Sequence, residues 1–150
     1  MVLIFTLIVT FIVPVYSGDY YTTKILEPDR IGTAWIISKF VDTAAVFLFV
    51  DRDSTVKDAT PFDTPSARYR RYPRHSATMS VVRMHKIQDQ KAHKLAEVID
   101  EIELDFWGAD KSEKARKFET EIMKIVEENK DLHQALKKAF EYIDAVIDTF

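Results

Sequence analysis

From residue 76 to residue 147 the apolar residues recur three and four positions apart in four successive stretches. That period belongs to helices that bury one face. This half of the chain must therefore fold as helices packed around a shared core. Each stretch carries its own start signal. Ser76 or Thr78 opens a short helix to Lys86. Asp89 opens the next, with Leu95, Val98, Ile99, Ile102 and Phe106 on its inner face and Gly108 to end it. Ser112 and Lys114 open a third, with Ala115, Phe118, Ile122, Ile125 and Val126 inward. Asp131 caps the last, whose stripe includes Leu132, Leu136, Ile143 and Ile147. Ser and Asp suit these places because a side-chain oxygen accepts a free N–H of the first turn.

The first half reads differently. Residues 20–26 are rich in strand formers. Glu27-Pro28-Asp29 stops that strand, and Asp29 is placed to cap a following helix. Ile31, Ala34, Trp35, Ser38 and Val41 continue it at helical spacing to near Asp42. Residues 46–50, Val-Phe-Leu-Phe-Val, are apolar on both faces and mark an interior strand. Residues 51–75 lack any period and hold Pro61, Pro65 and Pro73, which predicts a long irregular excursion. The expected architecture is a helix-dominated α+β single domain, with four to five helices and a small sheet of two or three strands.

Ahead of this domain, residues 2–13 are apolar apart from two threonines, and the first charged residue is Asp19. The run is shorter than the roughly 20 residues a membrane helix needs. It matches the apolar core of a secretory signal, with Val15 and Ser17 small enough for the positions before a cleavage point. The chain is therefore divided into an apolar leader (a signal peptide or short anchor) at 1–18 and a domain at 19–150. That division predicts an exported or membrane-tethered protein, touching membrane only through residues 1–18. Two other readings stand: a buried strand, or an upstream start codon on a cytoplasmic protein.

The chemical inventory is thin. With 21 basic and 24 acidic residues the net charge is −3, which argues against a nucleic-acid partner. Three scattered glycines build no phosphate loop. The absence of cysteine excludes disulfides, thiolate metal sites and thiol nucleophiles. No cofactor is expected, and binding is favoured over catalysis. The alternative is a metal-dependent enzyme or metalloprotein, with His75, His85, Asp100, Glu101 and Glu103 as the candidate ligands of a divalent ion. A third reading is a tethered module that docks a protein partner.

One patch stands out. Arg68-Tyr69-Arg70-Arg71-Tyr72-Pro73-Arg74-His75 places four arginines and a histidine within eight residues of an acidic chain. A guanidinium presents a rigid fork of donors that matches an oxyanion. Arg70, Arg71 and Arg74, joined by Arg30, are the expected oxyanion-binding set. A solvated basic loop, paired with acidic residues of the helices, is the plain alternative.

The run Glu27-Pro28-Asp29-Arg30-Ile31 through Trp35-Ile36-Ile37-Ser38-Lys39-Phe40-Val41-Asp42, followed by Phe47-Leu48-Phe49-Val50, resembles the chromate resistance exported protein family. The same domain forms the C-terminal part of chromate-resistance regulators. Pro61-Phe62-Asp63 matches the family's P-F-D element, and the likeness extends over roughly residues 20–148. The resemblance implies a role in chromate resistance as a sensor, regulator or accessory of efflux. The motif residues carried over are Asp29, Arg30, Trp35, Lys39, Asp42, Phe62 and Asp63. It adds chromate to sulfate and phosphate as the small oxyanion expected. Many relatives carry a His after P-F-D, a T-F-E in the next helix and a His-Asp pair beyond it. Here those places hold Arg70 and Arg71, Thr78-Met79-Ser80 and Asp100-Glu101. Arginine in place of histidine exchanges a metal-friendly pocket for an anion-friendly one.

Overall fold

The structure is a computed structural model that describes residues 18–104 and 111–150. Residues 1–17 of the 1–18 leader and the helix end expected at Phe106 and Gly108 lie outside the described residues. Strand β1 (Asp19–Thr23) leads into α1 (Pro28–Ile36), which continues as a π turn (Ile37–Val41) and returns to β2 (Val46–Val50). A two-residue strand, β3 (Thr60–Pro61), follows. Then come α2 (Ala77–Met84), α3 (Gln90–Glu103), α4 (Glu113–Glu128) and α5 (Leu132–Val146), closed by a short turn of 3-10 helix. The domain is α+β, with five helices and a three-stranded parallel sheet among the described residues. No helix among them is long and apolar enough to cross a membrane.

The helix starts lie where local chemistry puts them. Ser76 Oγ accepts from Met79 N at 3.1 Å, and Ser112 Oγ accepts from Ala115 N at 3.1 Å. Asp89 and Asp131 each accept from first-turn amides at 2.8 Å. Asp29 does not cap α1. Pro28 occupies the first turn there, after Glu27, and no side-chain cap forms. Instead the Asp29 carboxylate accepts from Ala77 N and Thr78 N at 2.8 Å each, and from Thr78 Oγ1 at 2.8 Å. It caps α2, 48 residues further along the chain.

Two strand expectations change. β1 ends at Thr23 rather than at 26, because Leu26 turns inward to the core while Ile25 stays exposed. The excursion at 51–75 contains β3, which pairs with Tyr20 and Tyr21 of β1. Phe62 N then donates to Tyr21 O at 3.0 Å. Among the described residues the sheet order is β2-β1-β3, which makes β2 an edge strand and β1 the central one. The apolar residues of β2 are split by the pleat. Phe47 and Phe49 pack into the core, whereas Val46, Leu48 and Val50 face the opposite side.

The core lies between that sheet face and the helices. Phe47 meets Phe62 at 5.7 Å and Phe140 at 6.3 Å between ring centroids. α1 packs on α2, α3 and α5, and its approach to α2 and α3 depends on Gly32. A Cβ there would lie 2.8 Å from Thr78 Oγ1 and 3.2 Å from Ile99 Cγ1. Gly32→Ala is expected to lower stability by about 1–3 kcal/mol, as overpacking does. Chemical denaturation reads this directly, and an alanine variant as stable as the parent would mean that the helices part freely.

Candidate functional site

Ligands of open parallel sheets collect at the carboxyl ends of the strands. The ends of β1 and β2 here border a cleft of about 870 Å³. Its walls come from Thr23–Glu27, from the loop after β2 and from Asp63–Ser66, with Arg30 of α1 among the lining residues. Arg30 is only 9% exposed. Its Nη1 donates to Ile25 O, and its Nη2 donates to Asp63 O at 3.0 Å and forms an ion pair with Asp63 Oδ2 at 3.0 Å. The third nitrogen, Nε, is buried and has no hydrogen-bond partner among the described residues. Asp63 holds a left-handed backbone (φ 46°), which Asp tolerates; its carbonyl accepts from Arg30 and its carboxylate pairs with the same guanidinium.

The cleft carries mixed charge. Lys24, Arg30 and Arg52 line it, as do Glu27, Asp51, Asp53 and Asp63. Lys24 pairs with Asp51 at 2.8 Å, but both side chains are more than half exposed, so that pair is weak and screened. Asp63 differs. Burial first, then the negative charges of Asp29, Glu103 and Glu27, push it up to about 8, with Arg30 pulling the other way. Burial and the charge of Asp29 push Glu103 up to about 7, against the pull of Arg71. Burial thus raises the proton affinity of Asp63, and an Asp63 that takes up a proton leaves the charge of Arg30 uncancelled.

These shifts set the pH dependence of folding. Asp63 and Glu103 hold protons in the fold that the unfolded chain releases above about pH 4. Their stabilising contribution is thus full at acid pH and is lost as pH rises to about 8. The melting temperature is expected to fall by roughly 5–10 °C between about pH 5 and about pH 8.5. Asp63→Asn with Glu103→Gln should flatten that slope. A melting temperature that rises over this range would contradict the assignment.

The structure separates the sequence-derived arginines. Arg30 lines the cleft; Arg70, Arg71 and Arg74 do not. Arg71 reaches α3, where Nη1 meets Glu103 Oε2 at 3.2 Å and Nη2 donates to Glu103 O. Arg70 donates to Pro65 O at 3.4 Å and lies over the Tyr72 ring at 4.8 Å. Arg74 is exposed in a turn closed by hydrogen bonds between Tyr72 and His75. Lys24 and Arg52 were not among the sequence candidates. Their signal was position: each follows the end of a strand that proves to be parallel.

The candidate metal ligands are dispersed. His75 Nδ1 lies 3.1 Å from Ser80 Oγ, and His85 Nε2 lies 2.6 Å from Tyr69 OH. Burial, then Arg68, pushes His85 below its ordinary value. Asp100 accepts from Ser76 N at 2.7 Å, and Glu101 accepts from Ser112 N at 3.1 Å. Among the described residues no group of three or more His, Cys, Asp or Glu is placed to hold a metal ion.

The remaining motif residues hold the fold. Trp35 Nε1 donates to Asp144 Oδ1 at 2.9 Å, and Lys39 Nζ pairs with Asp144 Oδ2 at 2.8 Å, fastening the π turn to α5. Asp42 accepts from Gly18 N and Ala44 N at 2.8 and 3.0 Å. Phe62 is fully buried.

The family model for ChrB, C-terminal domain, matches residues 20–150. Comparison with curated proteins and with solved structures gives no match.

Proposed function

The chain belongs to the ChrB C-terminal domain family and is a chromate-resistance-related protein, and on that premise we propose that it acts without catalysis, as an oxyanion-binding accessory or regulatory domain. The oxyanion enters the cleft at the ends of β1 and β2. The observation that carries this reading is Arg30: a buried guanidinium lining a cleft, with its Nε–H unpaired. A tetrahedral dianion such as chromate, sulfate or phosphate suits a cleft walled by such a guanidinium, and Lys24 and Arg52 supply charge at the rim. Asp63, when protonated, leaves Arg30 its charge. Asp63 ionised adds a negative charge to the walls and opposes the anion.

Calorimetry of the full chain with chromate and with sulfate tests this. The wild type binds near pH 7, and Lys24→Ala with Arg52→Ala weakens binding at least about tenfold, as loss of two charged contacts should. Binding also weakens above about pH 8 as Asp63 ionises. Arg70→Ala keeps its affinity. No heat of binding in the wild type, or loss of binding only on removing Arg70 and Arg71, would refute the cleft.

A further inference from the structure

β2 is a puzzle in its own right. Its five residues, Val46–Val50, are all apolar, yet among the described residues the strand forms an edge of the sheet. Exposed edges are ordinarily guarded by charge, proline or bulges, and β2 has none of these between its ends. Val46 is 49% exposed and Leu48 and Val50 are half-buried on the face away from the helices.

The backbone of β2 says which groups are free. Val46 N donates to Gly18 O at 3.2 Å, and Val50 O accepts from Lys24 N at 3.0 Å. Residues 46, 48 and 50 therefore turn their polar groups to β1, and by the alternation of a strand Phe47 and Phe49 turn theirs to the open edge.

We propose that β2 is a homodimer edge, pairing antiparallel with β2 of a second copy of this chain about a two-fold axis at Leu48. Two independent features meet in this one register. The strand reads the same in both directions, Val-Phe-Leu-Phe-Val. A two-fold at Leu48 sets Val46 opposite Val50, Phe47 opposite Phe49 and Leu48 opposite itself. In that register the outward groups of Phe47 and Phe49 face each other as hydrogen-bonded pairs, so both copies satisfy their open edge. The resulting six-stranded sheet makes β2 an interior strand, which its composition suits.

Charge agrees with the same axis. A groove of about 510 Å³ runs beside β2 along α5. His133 lies by Phe49 at 5.0 Å between rings, and Phe140 lies by Phe47 at 6.3 Å, so α5 runs opposite to β2. His133 and Lys137 line one end of the groove; Glu141 and Asp144 line the other, where Lys39 pairs with Asp144 at 2.8 Å and leaves Glu141 as the acidic group. The two-fold sets the basic end of each groove against the acidic end of the second copy's, which favours a symmetric, isologous contact.

The test uses the full chain, which has no cysteine of its own. Opposed residues of a non-hydrogen-bonded antiparallel pair have Cα atoms about 4.5 Å apart, within disulfide reach. Leu48→Cys, oxidised mildly, should give a covalent dimer. Val46→Cys should not, since its opposite number is Val50. By sedimentation, the wild type should be dimeric and Leu48→Lys monomeric with unchanged helical circular dichroism, because two like charges then meet on the axis. A monomeric wild type would overturn the proposal; the edge would then be covered from within the chain or left for another protein. A dimer that survives Leu48→Lys and resists the Leu48→Cys cross-link would overturn it as well, by placing the contact elsewhere.

Discussion

Replacing Asp29 by alanine is expected to lower stability by roughly 3 kcal/mol. The carboxylate is the acceptor for two buried amides, Ala77 N and Thr78 N, and for the Thr78 hydroxyl. Removing it leaves these donors facing a cavity, at about 1–3 kcal/mol for each buried group left unpaired. It also removes a cap from α2, which helix termini register at about 1 kcal/mol. Asn keeps one acceptor oxygen and presents an NH2 where the second amide points, so Asp29→Asn should lose part of this stability. For a domain of this size 3 kcal/mol corresponds to about 10 °C in melting temperature. A loss below about 1 kcal/mol in Asp29→Ala would show that α2 finds its acceptors elsewhere.

Phe62→Ala is expected to lower stability further, by about 3–5 kcal/mol, the range for a large aromatic removed from a packed core. Phe62 is completely buried, stacks edge-on to Phe47 and anchors the chain between β3 and the basic loop through its bond to Tyr21 O. Asp63 follows directly and depends on that anchor for its place beside Arg30. The urea midpoint should fall by about 1 M or more at the usual slope for small domains. Phe62→Leu, which refills part of the volume, should recover more than half of the loss. Equal midpoints for wild type and Phe62→Ala would mean that residues 60–75 contribute little to cooperative folding.

These two residues belong to the motifs that carry the family likeness, and both turn out to hold distant segments together. Local signals explain what was legible. The caps at Ser76, Asp89, Ser112 and Asp131 act on amides two or three residues away, so spacing alone reveals them. The partner of Asp29 lies 48 residues on, and nothing near Asp29 points to it. β3 is not legible in the sequence because a two-residue strand has no period to read. β2 read as interior because apolar composition reports burial potential, whereas its place at the edge is set by the sheet order.

The site was legible in part. Arg30 belongs to the oxyanion-binding set expected from the sequence and meets Asp63, a second motif residue, at 3.0 Å. The gathering of Glu27, Asp29, Asp63 and Glu103 around two arginines was not legible, since four separate segments supply it. The density of arginine at 68–74 drew attention to the loop, yet Arg71 is engaged by Glu103, and the buried guanidinium lies elsewhere.

The central claim concerns one guanidinium, that of Arg30. Arginine Nε–Hε groups give separate signals in isotope-edited NMR spectra, so the full chain can be titrated with chromate or sulfate near pH 7 and each arginine followed. Arg30 should shift first and saturate, with Arg52 moving less and Arg70 and Arg74 barely moving. A silent Arg30 signal alongside saturating shifts at Arg70, Arg71 or Arg74 would contradict the cleft and return the oxyanion to the basic loop.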